Sequence, residues 1–401
     1  MNSIVRTVSL FAIAIFAVAL AACSPVEPKT PIEPVPIVDS SAEMPESTEA
    51  EPVEAEPVSR ATFLALGDIV AHDQLVYQGR TGYNEYDFAH IFAPMVSVVA
   101  SYDVAAITQE TPFVTDDADV SGYPCFGTPV QMGDAIRQSG FDVVVGATNH
   151  SMDKGTYGID TTLSYWEAHP EITHLGMHRN PQDANSVSVR EVNGIKIAFT
   201  DCTYGLNGFV LPEGYEHTVD LLYDLDQICD NIRTSRDKVD VVVAFVHMGE
   251  EYATVPSDEQ RDVAARLVDA GADIVIGSHV HVVQPCEEIT TAAGNHGVVY
   301  YSIGNHVSNQ IEAANMLGGA ASMTFEKTTY ADGTSKTEVV EHSFEPVVCH
   351  FDGGTTCEYF LVDYPDEMAS YNGGGAYSTD MIWGMWTGIT GLGRDTSATG
   401  C

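Results

Sequence analysis

Basic residues are scarce in this chain. Seventeen Lys and Arg face 57 Asp and Glu, for a formal net charge of −40. Setting aside the nine acids and one lysine of residues 24–59, and Arg6, leaves 48 acids against 15 bases, still near −33. A nucleic-acid footprint needs clustered Lys and Arg. None is visible, so no nucleic-acid partner is expected. The charge also opposes large polyanions, although a local metal site can still draw a small anionic group. Long apolar runs are missing after the first 22 residues. No later stretch approaches the ~20 residues that a membrane helix needs. Cys-x-x-Cys is absent, which argues against a zinc ribbon.

The N-terminus has the parts of an export signal: Arg6, an apolar core from Leu10 to Leu20, and Leu20-Ala21-Ala22-Cys23. The tetrapeptide resembles a lipoprotein lipobox, which implies a signal peptide over 1–22 and lipidation of Cys23. The mature protein is then expected to be extracytoplasmic and lipid-anchored to the cell membrane. Residues 23–59 read as an acidic, Pro/Glu-rich disordered linker without aromatics. Such a segment buries too little apolar area to offset its ordering entropy. From Arg60 about 340 residues remain, enough for one large α/β domain. Beyond Cys23 there are seven cysteines. Cys349 and Cys357 flank a short Gly/Thr-rich loop and form the expected disulfide pair.

Apolar runs recur along the domain, and each ends in a metal-competent side chain. Thr62–Leu66 leads to Gly67-Asp68, with His72 four residues on, where one helical turn would align the two. Val104–Gln109 leads to Glu110. Val143–Val145 leads to Asn149-His150, with Asp153 three residues further, a distance at which a carboxylate can orient an imidazole for general-acid work. Val239–Val246 ends in His247, and Ile274–Gly277 is followed by His279-Val280-His281. Between them, Tyr86–Tyr102 reads as a helix interrupted by Pro94, and Thr128-Pro129 as a helix start. Asn193-Gly194 reads as a hairpin turn, and Ser257 with Gln260 as a capping box. Residues 318–327 and 337–344 look like edge strands. Residues 346–401 form a C-terminal extension whose Trp383 and Trp386 have no evident place.

Near-continuous apolar runs alternating with helices point to a largely parallel sheet buried on both faces. In such sheets ligands bind beyond the carboxyl ends of the strands. Asp68, Glu110, Asn149, His247, His279 and His281 are thereby expected at one edge. Acids, imidazoles and an amide oxygen suit two divalent or transition metal ions, Mn, Fe or Zn. Two ions ~3.5–4 Å apart clamp an oxyanion and activate water at neutral pH.

Several pieces, taken in order, resemble the CapA family of capsule or poly-γ-glutamate synthesis proteins, related to calcineurin-like metallophosphoesterases. They are Gly67-Asp68-Ile69 with His72-Asp73, Gln109-Glu110-Thr111-Pro112, Gly122-Tyr123-Pro124, Asn149-His150 through Asp153-Lys154-Gly155, His247-Met248-Gly249-Glu250-Glu251-Tyr252, Gly277 through Pro285, and Tyr301 through Asn305. The resemblance implies a four-layer αββα sandwich over residues 60–345. It also implies Asp68, His72, Glu110, Asn149, His247, His279 and His281 as ligands, and His150 as catalytic acid. His306 stands where the family usually has an apolar residue. It is expected to be a partly exposed packing histidine, with a substrate contact as the other reading.

The sequence thus points to a metal-dependent hydrolase acting on a phosphoester or amide. Its expected partners are a cell-surface polymer or a related small substrate, and capsule-synthesis membrane proteins. The rival reading is a tethered assembly subunit whose metal is structural.

Overall fold

The structure is a computed structural model that describes residues 55–375, 377–394 and 401. The leader, Cys23 and the linker up to residue 54 lie outside the described residues. The first strand, Ala55–Ile69, begins within the last residues of the stretch read as linker, where Val58 and Ser59 pair with Thr328 and Lys327.

Two sheets carry the fold. In the first, the strand Ala55–Ile69 runs parallel to Val104–Gln109, then Val143–Val145, then Thr173–Leu175. On its other side it runs antiparallel to Leu317–Tyr330, followed by Ser335–Phe351 and Thr356–Phe360. In the second, four parallel strands stand side by side: Ile195–Thr203, Val241–His247, Ile274–Ser278 and His296–Tyr300. Antiparallel strands Ser188–Val192 and Cys286–Thr290 close its two edges.

Side-chain alternation along these strands builds the layers. Phe63, Ala65, Val104 and Ala106 face the second sheet, where they meet Ile197, Phe199, Val243, Phe245 and Ile276. Their neighbours Leu64, Leu66, Ala105 and Ile107 face the other way, onto Leu75, Phe88, Phe92, Met132 and Ile136. Val242, Ala244, Val246 and Val275 likewise turn outward onto Ile228, Ile232, Val263 and Leu267 of two helices. The period of two that places successive side chains on opposite faces therefore yields four layers, helix–sheet–sheet–helix. This is the αββα sandwich expected from the resemblance, with two mixed sheets in place of the single parallel sheet that the apolar runs alone indicated.

Several local expectations change. Tyr86–Tyr102 forms two short helices, Ala89–Phe92 and Val96–Val99, on either side of Pro94. Thr128-Pro129 is a two-residue strand paired with Phe113-Val114, and the helix starts at Gln131. The strand Leu317–Tyr330 is not an edge, because it lies between Ala55–Ile69 and Ser335–Phe351, whereas residues 337–344 do lie at the edge of the sheet, since Thr356–Phe360 pairs only with Val347–Phe351. Cys349 and Cys357 are free. The ladder pairs Cys349 with Glu358 and His350 with Cys357, which turns the two thiols to opposite faces. The disulfide joins Cys286 to Cys401. His306 is fully buried and paired with Glu358 at 2.6 Å, so it is neither exposed nor a substrate contact. In the C-terminal stretch, the helix Thr379–Thr390 carries Trp383 and Trp386 into the core between the sheets.

The sequence signals that rest on local chemistry hold. Asn193 and Gly194 both take positive φ, 52° and 79°, in the hairpin turn. Ser257 and Gln260 form the reciprocal capping box. Among the described residues no helix is long and apolar enough to cross a membrane.

Candidate metal centre

The carboxyl ends of the parallel strands in both sheets meet at one edge. Asp68 is the penultimate residue of its strand. Gly67 before it has no room for a side chain, since a Cβ there would lie 1.9 Å from the Gly304 carbonyl oxygen. That oxygen accepts from the Asp68 amide at 3.1 Å. Glu110 follows its strand directly, and Asn149 and His150 sit on the loop after Val143–Val145. His247 is the last residue of its strand, and His279 and His281 lie in the turn after Ile274–Ser278. These two histidines hold φ of 90° and 60°. Such values are costly for residues with a Cβ and cluster at functional sites.

Glu110 is the hub. Its Oε1 lies 3.8 Å from Nε2 of both His150 and His281, and 3.9 Å from Nε2 of His247. Asp68, Glu110 and His281 each bring a ligand atom within 4.8 Å of the other two. His247 Nε2 faces Asn149 Oδ1 at 2.8 Å. The His279 ring is 4.9 Å from that of His247 and 6.2 Å from that of His281, and its backbone N–H donates to Asp68 Oδ2 at 3.2 Å. His72 stands outside the tightest group. No helical turn links it to Asp68: it occupies the position just before the helix Asp73–Gly79 without a side-chain capping bond, and its Nδ1 lies 3.1 Å from the Val70 carbonyl oxygen.

The electrostatics are those of a site that wants a cation. Burial pushes the Asp68 carboxyl up to about 7 against the help of the His279 N–H and Ser278. Burial, then the neighbouring Asp68, Glu251 and Asp153, holds Glu110 well above the usual carboxylate range. Burial and mutual repulsion lower His247 well below the ordinary imidazole value, His279 to about 3 and His281 to about 4. The Glu110–His247 and Glu110–His281 separations would be ion pairs only with charged rings. Neutral rings make them ligand-like contacts instead. Neutral imidazole is also the form that binds metal.

The residues fit such an ion. Asp68 Oδ1, both Glu110 carboxylate oxygens and His279 Nδ1 are buried without a hydrogen-bond partner. Leaving one buried polar group unpaired costs about 1–3 kcal/mol, and four at one place call for a shared partner.

Supporting groups fix these side chains. Asn305 Oδ1 accepts from His281 Nδ1 at 3.0 Å, leaving Nε2 toward Glu110. Ser278 Oγ pairs with His247 Nδ1 at 2.8 Å. Such outer partners set tautomer and ring orientation. His150 Nδ1 donates to Asp153 Oδ2 at 2.6 Å, and Asp153 also takes the Phe126 N–H at 2.7 Å. Asp201, buried in the second sheet, accepts the N–H groups of Gly146 and Ala147 at 3.1 and 2.7 Å, holding the loop that carries Asn149 and His150.

Sequence reasoning missed Asp201 and also Asn207, whose Oδ1 takes the Asn149 amide at 3.2 Å and whose Nδ2 lies 3.4 Å from His150 Nδ1. The signal available for Asn207 was only turn chemistry, Asn207-Gly208.

Comparison with known proteins matches this edge to a family. The family described as bacterial capsule synthesis protein PGA_cap matches residues 62–310. The capsule biosynthesis protein CapA of Bacillus anthracis is 33% identical over 182 residues, covering 44% of this chain and 42% of that protein. The PGA biosynthesis protein CapA of Bacillus subtilis (strain 168) is 34% identical over 179 residues, covering 44% of each. The alignments thus span less than half the length of these relatives. Among solved structures, the NAD nucleotidase NadN of Haemophilus influenzae aligns over 83% of this chain and 60% of its own, at 11% identity and a TM-score of 0.45. A putative 5'-nucleotidase from Staphylococcus aureus aligns over 71% and 54%, at 14% identity and a TM-score of 0.40. With well over half of its length matched by the family, and the matched span holding every residue of the metal centre, this chain belongs to the bacterial capsule synthesis protein family PGA_cap.

Proposed function

We propose that this protein is an extracytoplasmic, lipid-anchored hydrolase that cleaves a phosphoester or amide in cell-surface polymer metabolism, using two metal ions. The observation that carries the reading is the set of partnerless buried carboxylate and imidazole atoms beside the His150–Asp153 pair. Bound ions would supply Lewis acidity and an activated water at neutral pH.

The chain's own residues do the rest. Asp68, Glu110, Asn149, His247, His279 and His281 would hold the ions, with His72 at the margin. Asp153 fixes the His150 ring, so that Nε2 points toward Glu110 and can carry a proton to a leaving group. Phe126 packs edge-on against His150 at 4.8 Å and shields one side of it from water. The lipid anchor on Cys23 and the linker would keep the domain at the cell surface, where polymer and capsule-synthesis membrane proteins are found.

Hydrolysis of phosphodiester and γ-glutamyl model substrates, with and without chelator, tests the reading. Turnover that chelator abolishes, and that His150→Gln lowers about 10²–10⁴-fold with metal content unchanged, is the expected result. Wild-type turnover in His150→Gln would refute the assignment of His150.

A further inference from the structure

Around the metal centre stands a rim of exposed aromatic side chains that the hydrolytic reading does not use. Tyr204, 43% exposed, lies with its ring 4.6 Å from that of His279. Tyr252, 55% exposed, has its ring 6.2 Å from that of His281. Tyr123, 75% exposed, packs on Phe126 at 6.3 Å, and Phe126 in turn touches His150 and His72. The three come from separate loops, yet each leans on a residue of the metal centre or on its immediate packing partner.

They are also held in place. The Tyr252 N–H donates to the Val280 carbonyl at 2.8 Å, tying this loop to the His279–His281 turn at a φ of 67°. Tyr204 Oη donates to Asn207 Oδ1 at 3.2 Å. Glu251 is exposed and precedes Tyr252 on the same loop, which adds a carboxylate to the rim.

The chemistry of this rim is one-sided. Aromatic faces are negative, and they attract a cation by about 0.5–2 kcal/mol. A carboxylate adds to that attraction, and the strongly acidic domain favours approach of cations. An anionic group is served by the metal centre and repelled by the rim.

We propose that Tyr252, Tyr204, Tyr123 and Glu251 form a subsite for a primary ammonium group, so that the substrate presents an oxyanion-forming centre to the metals and an amine to the rim. The inference rests on the metal-centre reading above. It narrows the substrate class to amine-bearing molecules, such as a chain end or a unit with a free amino group.

The test is calorimetric binding to manganese-loaded full-length protein of two phosphonates, 2-aminoethylphosphonate and propylphosphonate. They share the oxyanion and differ in the ammonium. The amino compound should bind about tenfold tighter, and this preference should collapse in Glu251→Gln and in Tyr252→Leu. Propylphosphonate has nothing for the rim, so its binding shows that each variant is folded and metal-loaded. Glu251→Gln is isosteric and exposed, and keeps the test decisive should Tyr252→Leu fail to fold. Equal affinities in wild type, or a preference that survives in the variants, would overturn the ammonium subsite and leave the metal reading standing. Failure of both phosphonates to bind would overturn the two together.

Discussion

Replacing Asp201 separates the loop that carries Asn149 and His150 from the sheet that supports it. Asp201 is 1% exposed, and its Oδ2 accepts two buried N–H groups, from Gly146 and Ala147. Alanine leaves both donors unmet. At about 1–3 kcal/mol for each such group, and with partial relaxation, Asp201→Ala should lose about 2–4 kcal/mol in urea unfolding followed by tryptophan fluorescence. Asparagine keeps an acceptor in place and cannot ionise. Burial raises the Asp201 carboxyl well above its ordinary value, opposed by the Ala147 N–H and reinforced by the Asp220 charge. A raised folded-state pKa gives a contribution fully present below the unfolded value and lost as pH rises toward the folded one. Asp201→Asn should therefore gain on wild type as the pH is taken from 4 to 7. Metal affinity should fall in the alanine variant and hold in the asparagine variant, because only the first releases the ligand loop. An alanine variant within 0.5 kcal/mol of wild type, or an asparagine variant that loses ground with rising pH, would refute the role given to Asp201.

Two further expectations concern histidines away from the candidate metal centre, one half-buried and one fully buried. His174 has no partner for Nε2, and burial, with a contribution from His178, lowers it to about 3 from the ordinary 6.5. Its neutral form is favoured in the fold, so stability is complete above pH 6.5 and falls as the pH drops toward 3. The loss should be about 2 kcal/mol by pH 5, and His174→Leu should remove that share of the acid sensitivity in a thermal melt series. His306 and Glu358 are both fully buried and 2.6 Å apart. Glu358→Ala should cost about 3–5 kcal/mol by urea unfolding, and the double change to apolar residues should recover much of it. A double variant no more stable than Glu358→Ala would count against the unpaired histidine as the cause.

The features that could be read in advance are those set by near neighbours in sequence. Apolar runs ending in Asp68, Glu110, His247 and His279 became strands with those residues at their carboxyl ends, because burial on both faces demands such runs. The Asn193-Gly194 turn and the Ser257–Gln260 cap depend only on adjacent residues. What could not be read depends on distant partners. An apolar run looks the same in either sheet, so the division into two layers was not visible in the runs themselves. Thr128-Pro129 has the chemistry of a helix start, yet Thr128 Oγ1 pairs with Thr111 Oγ1 at 2.6 Å and its N–H donates to the Pro112 carbonyl, which fixes a strand. His306 is buried because Glu358, 52 positions away, meets it. Trp383 and Trp386 find their place only once the gap between the sheets exists, where Trp386 packs on Phe344 at 4.8 Å. In the candidate metal centre, the metal-competent residue types were legible, whereas the tyrosine rim, Asn207 and Asp201 came from loops and strands without a metal signature.

The buried, partnerless atoms of Asp68, Glu110 and His279 are placed to hold metal. Elemental analysis of the purified full-length protein, dialysed without chelator, tests this most directly. About two equivalents of manganese, iron or zinc per chain are expected, falling sharply in Glu110→Gln and His281→Ala while both variants remain folded by circular dichroism. Wild-type protein that holds no such metal, even after incubation with each of the three ions, would contradict it.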